Sequence, residues 1–190
     1  MIRMKKLFTV LLTALMVSVS ITGCGSKQNA ADNAPGQENV STQTATSAAS
    51  SMSLTEIVDA VYAKKSLKFP LMTMNVELTD TDALRYNTGL ANADKIKEAV
   101  VSEPMMGSQA YSMVLVRLNN AADAKEVAQE MKNGIDQRKW ICVEADDLKV
   151  AASGDVVMLV MISSTFADTA TAADFIGAFK EISGTLSVEL

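Results

Sequence analysis

The most regular apolar spacing in the chain lies between residues 120 and 135, where Ala124, Val127, Ala128, Met131 and Ile135 recur every three or four positions. Lys125, Glu126, Glu130 and Lys132 fall off that stripe. The pattern is that of an amphipathic helix opened by Asn119 or Asn120. A second helix is expected where Ser53-Leu54-Thr55-Glu56 forms a capping box. Its stripe is Leu54, Ile57, Val58 and Val61, and it ends near Lys64 and Lys65, where positive charge suits a C-terminus. A third opens at Thr171-Ala172-Ala173-Asp174, carries Phe175, Ile176, Phe179 and Ile182, and stops at Gly184.

Between these helices the period shortens to two or is lost. Residues 96–103, closed by Pro104, predict an edge strand with charges at its ends. Residues 110–118, with the run Met113-Val114-Leu115-Val116, predict a more buried one. Residues 148–152 alternate weakly and Ser153-Gly154 has tight-turn chemistry. Residues 156–162 are apolar at every position, as a central strand would be. Residues 72–78 alternate in the manner of a strand without deciding the matter, and residues 80–86 suit a short helix stopped near Gly89. The order, a helix, an ambiguous segment and then ββαββα, predicts an α+β domain of two layers. Its sheet is expected to be mainly antiparallel with about four strands, and its helices to pack largely on one face.

Ahead of this domain the patterning is of another kind. Arg3, Lys5 and Lys6 precede an apolar run at residues 7–19, interrupted only by Thr9, Thr13 and Ser18. Thirteen residues reach roughly 20 Å as a helix, short of the ~30 Å hydrocarbon core, so a cleaved export signal fits better than a membrane span. Ile21-Thr22-Gly23-Cys24 follows and resembles the bacterial lipobox. The resemblance implies that Cys24 receives a diacylglycerol thioether and becomes the N-terminus of the mature protein. Acyl chains contribute roughly 0.8 kcal/mol per buried methylene, and two or three of them make a firm anchor. An ordinary signal peptide with an incidental cysteine is the plainer alternative. Residues 25–52 are almost all Ala, Ser, Thr, Asn, Gln and Gly, with Val40 the only large branched apolar side chain. Such a segment has little to bury and is expected to be a flexible tether with a root-mean-square span of about 30 Å. The expected organisation is a signal at 1–23, a lipidated cysteine and tether at 24–52, and one α+β domain at 53–190.

Charge and composition narrow the chemistry. The first 23 residues hold three of the 17 basic residues and none of the 22 acidic ones, so the remainder carries 14 against 22, a net charge of −8. That argues against nucleic acid and against a polybasic grip on anionic lipid, leaving the acylated Cys24 as the membrane contact. No histidine occurs, which removes Ser-His-Asp and Cys-His catalysis and histidine-held metal or haem. If Cys24 is lipidated, Cys142 has no partner, and Trp140, Ile141 and Val143 around it suggest a buried small hydrophobe. Asp146 and Asp147 are adjacent and point to opposite sides of an extended chain, while Asp80 and Asp82 sit where helix caps are needed. Nine methionines follow the signal, including Met72 and Met74, Met105 and Met106, and Met158 and Met161. Thioethers can bind Cu(I), but filling gaps in a core is their commoner duty. No metal or other cofactor is expected.

Several stretches together resemble an uncharacterised lipoprotein family of Firmicutes-type bacteria, catalogued as domain of unknown function four-three-five-eight. They are FPLM, TDTDALRYNTGL, EPMM, DAKEVAQEMKNGIDQRKW and KVAASGDVVMLVMIS, spanning about residues 54–164. The resemblance implies an exported α+β domain; no activity comes with the family, so it bears on location and fold and not on function. The family's acidic residue ahead of the second strand has no counterpart in Gln109-Ala110-Tyr111-Ser112. The expected function is therefore a non-enzymatic binding or scaffolding domain, lipid-anchored outside the cytoplasm, for an envelope protein or polymer partner. A carboxylate-dependent hydrolase of envelope polymers and a solute-capture lipoprotein are the alternatives. The candidate contact surface is Met105, Met106 and Tyr111: two adjacent methionines in a connection suit either a contact site or a plug on the open end of the core.

Overall fold

The computed structural model describes residues 47–190. The expected signal segment, the residues Ile21, Thr22, Gly23 and Cys24 read as a lipobox, and the expected tether up to residue 46 lie outside the described residues. In chain order the elements are α1 (Leu54–Lys64), β1 (Leu71–Asn75), α2 (Thr81–Thr88), β2 (Ile96–Pro104) and β3 (Tyr111–Leu118). They continue with α3 (Ala124–Gly134), β4 (Asp147–Ser153), β5 (Val156–Ile162), α4 (Ala172–Ser183) and β6 (Val188–Glu189).

The fold is α+β with an antiparallel sheet, as the patterning predicts, but the sheet has six strands in the order β1-β2-β3-β5-β4-β6 rather than about four. Residues 71–75 are the strand that alternation alone left undecided, and β6 is too short to show a period. A second correction follows from where side chains go. Alternate residues of the sheet divide into two cores: Val101, Val114, Val116, Val150 and Leu159 meet α2 and α3 on one face, while Val100, Met113, Leu115, Met158 and Val160 meet α1 and α4 on the other. The helices cover both faces, making three layers instead of two. The cause is visible in β3 and β5, which are buried at every position and so need cover on both sides. A third correction concerns β2. It lies between β1 and β3 and is no edge; the edges are β1 and β6.

The helices themselves form as their caps dictate. Ser53 accepts from the Glu56 N–H while the Glu56 carboxylate accepts from the Ser53 N–H, and Thr171 with Asp174 repeats the arrangement on α4. Asp80 accepts from the N–H groups of Asp82 and Ala83 to open α2, which Gly89 closes at φ 78°. α3 is the exception: Asn120 caps a 3-10 turn at Ala121–Asp123 instead of the helix, and α3 then starts behind Asp123 with no side-chain cap, the turn having already set the chain's entry.

The folded region also begins earlier than its composition suggests. Ala48–Ser51 form a 3-10 turn, and Ala49 is fully buried in the α1/α4 core, so residues 47–52 belong to the domain and not to the tether. Polar groups attach them. Ser47 Oγ lies 2.8 Å from Ser153 Oγ and donates to the Ser183 carbonyl at 3.1 Å, and the buried Arg117 donates to the Met52 carbonyl.

Candidate functional site

Strand register sorts the loops into two groups. Pairs Leu71 with Pro104, Tyr111 with Ile162 and Asp147 with Ile162 mark one end of the sheet. The hairpin of Gly154 and Asp155 marks the opposite end, and Ser47 joins the fold there. The β2–β3 connection, the α3–β4 connection and the start of the β5–α4 connection all gather at the first end, away from Ser47.

Met105 and Met106 stand in the β2–β3 connection at 66% and 59% exposure, so they do not plug the core. Tyr111, grouped with them as a contact candidate, is completely buried, a correction with a clear cause. It is the first residue of a strand covered on both sides, and its ring packs against Phe69 and Phe175 while its hydroxyl lies 3.1 Å from that of Tyr62. Burial first, and then the neighbouring Tyr62, raises the Tyr111 phenol well above its ordinary range. The Tyr62 hydroxyl donates in turn to Ser102 at 2.8 Å. Tyr111 anchors the connection from below and presents nothing to solvent.

The α3–β4 connection is pinned by Lys139. Its side chain is only 1% exposed, and Nζ sits 2.5 Å from Glu103 Oε1, 4.9 Å from the centre of the Tyr86 ring and 5.4 Å from that of Trp140. The Glu103 carboxylate is therefore the charged partner of the buried ammonium, and Nζ also donates to Ser112 Oγ at 3.4 Å. Burial draws Lys139 below the ordinary lysine range in spite of the opposing pull of Glu103 and Asp136. Sealed in this way, Lys139 cannot reach a substrate, and its role is to hold the loop against the sheet. Gln137 and Ala145 close the loop reciprocally: the Ala145 N–H donates to the Gln137 carbonyl at 2.9 Å, and Gln137 Nε2 donates to the Ala145 carbonyl at 2.6 Å.

Cys142 rides on that loop. It is exposed at φ 67°, not the buried hydrophobe its apolar neighbours suggested. Its surroundings leave the core because Ile141 is exposed too, and Trp140 is half-buried at the rim. Cys142, Glu144, Asp146, Ser108 and Phe166 border a solvent-open cleft of about 360 Å³. A larger open groove of about 500 Å³ runs beside Gly184 to Glu189 at the C-terminal strand, with Lys180 and Glu189 as its charged groups. Size alone does not favour it, because the smaller cleft is the one at the loop end, bordered by Ser108 of the β2–β3 connection.

The acids separate into structural tasks. Asp146 accepts from the Ser164 hydroxyl at 2.7 Å and from its N–H at 2.6 Å, and these bonds, the hydroxyl's first, hold its carboxyl below the usual range. Asp147 instead accepts from the Ala172 N–H at the start of α4. The paired methionines also part: Met158 lies in the α1/α4 core and Met161 in the α2/α3 core, on opposite faces of the sheet. Among the described residues no three Cys, Asp or Glu side chains come together in a way that could hold a metal ion, and no helix is long and apolar enough to cross a membrane.

Sequence reasoning nominated the methionines and missed Lys139, Glu103 and Arg117. Its signals were hydrophobic period and turn chemistry, and a charged residue beside Trp140 or at a strand end looks the same whether solvated or buried. No protein-family model matches the chain, and no curated protein or solved structure matches it either.

Proposed function

We propose that the chain is a membrane-anchored lipoprotein facing outside the cytoplasm, held through an acylated Cys24, and that its folded domain is a non-enzymatic binding or scaffolding module. The family resemblance noted above belongs to the same proposal. The observation that carries it is the separation of the two ends of the sheet. The chain enters at Ser47 beside Ser153, whereas Met105, Met106 and the Cys142 cleft lie at the far end, on loops pinned by Lys139 and Tyr111. Eight residues of β3 separate the ends by about 26 Å at roughly 3.3 Å each. A surface anchored at one end and exposing flexible thioethers at the other suits an adaptable contact with an envelope partner.

The test is the double variant Met105→Ser with Met106→Ser in the full chain, followed by crosslinking capture from native membranes. Capture of a defined partner should weaken while the melting temperature stays within a few degrees, since both side chains face solvent. Unchanged capture, or a collapse of stability, would remove this surface from the proposal.

A further inference from the structure

The first strand presents an unguarded edge. The Val76 N–H donates to the Ala99 carbonyl at 2.9 Å, and Val76 and Ala99 continue the β1–β2 register. Because hydrogen-bonded pairs alternate in an antiparallel ladder, Met72 and Met74 direct their backbone groups toward β2, and Leu71, Thr73 and Asn75 direct theirs outward. Among the described residues nothing pairs with those outward N–H and C=O groups. Proteins commonly protect such an edge with Lys, Pro, a bulge or brevity. Leu71-Met72-Thr73-Met74-Asn75 has five residues, no charge and no proline. The opposite edge, β6, has only two residues, one of them Glu189.

We propose that two copies of this chain pair through β1, antiparallel and centred on Thr73, joining their sheets into one of twelve strands. The strand itself argues for a second copy as the occupant. Its central Met72-Thr73-Met74 is symmetric about Thr73, and its outward backbone positions 71, 73 and 75 share that centre. A two-fold axis through Thr73 then sets Thr73 against Thr73 and Leu71 against Asn75, and every outward donor meets an outward acceptor. The same axis sets Met72 of one copy against Met74 of the other. These side chains are 44% and 43% exposed in the single chain, on the face that carries α2 and α3, and four thioethers would cover one another across the seam. Charge does not oppose it: Leu71–Asn75 carries no charged side chain, so no like charges meet within the strand.

This pairing depends neither on the lipid anchor nor on Met105 and Met106. The experiment is light scattering and sedimentation of the full chain in detergent, with the detergent mass subtracted, over a wide range of protein concentration. A concentration-dependent monomer–dimer equilibrium is expected. Thr73→Pro removes the central outward N–H while the bonds of Met72 and Met74 to β2 stay, and Met74→Lys brings a charge to the seam without altering the backbone. Each should weaken the dimer at least about tenfold, a change of roughly 1.4 kcal/mol. Met74→Lys should leave the melting curve of the monomer unchanged, which keeps the test decisive if Thr73→Pro perturbs folding. A chain that is monomeric at every concentration, or a dimer undiminished by Met74→Lys, would overturn the proposal.

Discussion

A methyl group placed on Gly154 would lie 2.5 Å from Ser50 Oγ and 2.7 Å from Ser47 Cβ, and the backbone there has φ 59°, a region that side chains disfavour. Gly154 is thus required twice, by the two-residue turn between β4 and β5 and by the close approach of residues 47–50. Gly154→Ala is expected to destabilise the fold by about 1–3 kcal/mol and to loosen residues 47–52 first. Amide hydrogen exchange should show faster exchange at Ser50 and Met52, whose N–H groups close the 3-10 turn, with the β3 amides changed far less. Uniform acceleration across β3 would contradict this local reading. Cys142 teaches the converse lesson. Its neighbours are apolar in type, yet the loop that bears them is fixed by Lys139 and by the Gln137–Ala145 pair, which leaves Cys142 outside.

The elements most legible in the sequence were those with a capped, periodic helix or an unbroken apolar run. α1 and α4 form where their stripes and capping residues place them, and β3 and β5 where their apolar runs do; α3 follows its stripe but begins at Ala124 without a side-chain cap, because Asn120 caps the 3-10 turn ahead of it. The same unbroken runs held the information that the sheet is covered on both faces, but burial of a strand on two sides says nothing about which helix covers which. That assignment depends on connections: the chain passes from β3 through α3 to β4, skipping the place that β5 later fills. The short edge strands were least legible, since five or two residues carry too little pattern. The candidate site was legible only in Met105 and Met106; the groups that fix the loops are charged residues whose burial is a tertiary outcome. One of those junctions yields a pH prediction. Asp155, in the β4–β5 turn, would be raised by burial, but hydrogen bonding from Ser50 and the charges of Arg117 and Lys97 outweigh this and hold it below the ordinary value of 3.8. A depressed carboxyl pKa stabilises the fold fully above 3.8, and that contribution fades as pH falls through the depressed value. The difference in melting temperature between the native chain and Asp155→Asn should accordingly be largest near neutrality and shrink below pH 3.8. A difference that grows on acidification would contradict it.

For the whole molecule, the decisive question is attachment. Cys24→Ala is expected to leave the precursor uncut at the lipobox and to abolish retention in the membrane, as read by acyl labelling and detergent partitioning. Equal partitioning of the two forms would count against the anchor. The domain's stability should be indifferent to that change, because among the described residues the two cores are built from residues 49–190.

The manner in which residues 47–52 are fastened also decides how the protein would respond to tension. A pull arriving from the chain ahead of Ser47 meets first the contacts of Ser47 with Ser153 and Ser183, then buried Ala49, and only afterwards the Arg117 bond to Met52. These attachments are met one after another, and each is a few side-chain contacts, far fewer bonds than a ladder of the sheet, so they part first. Releasing six residues adds about 20 Å of free chain at 3.3–3.6 Å each. The segment is therefore a fuse: under force the protein pays out slack before its sheet is strained.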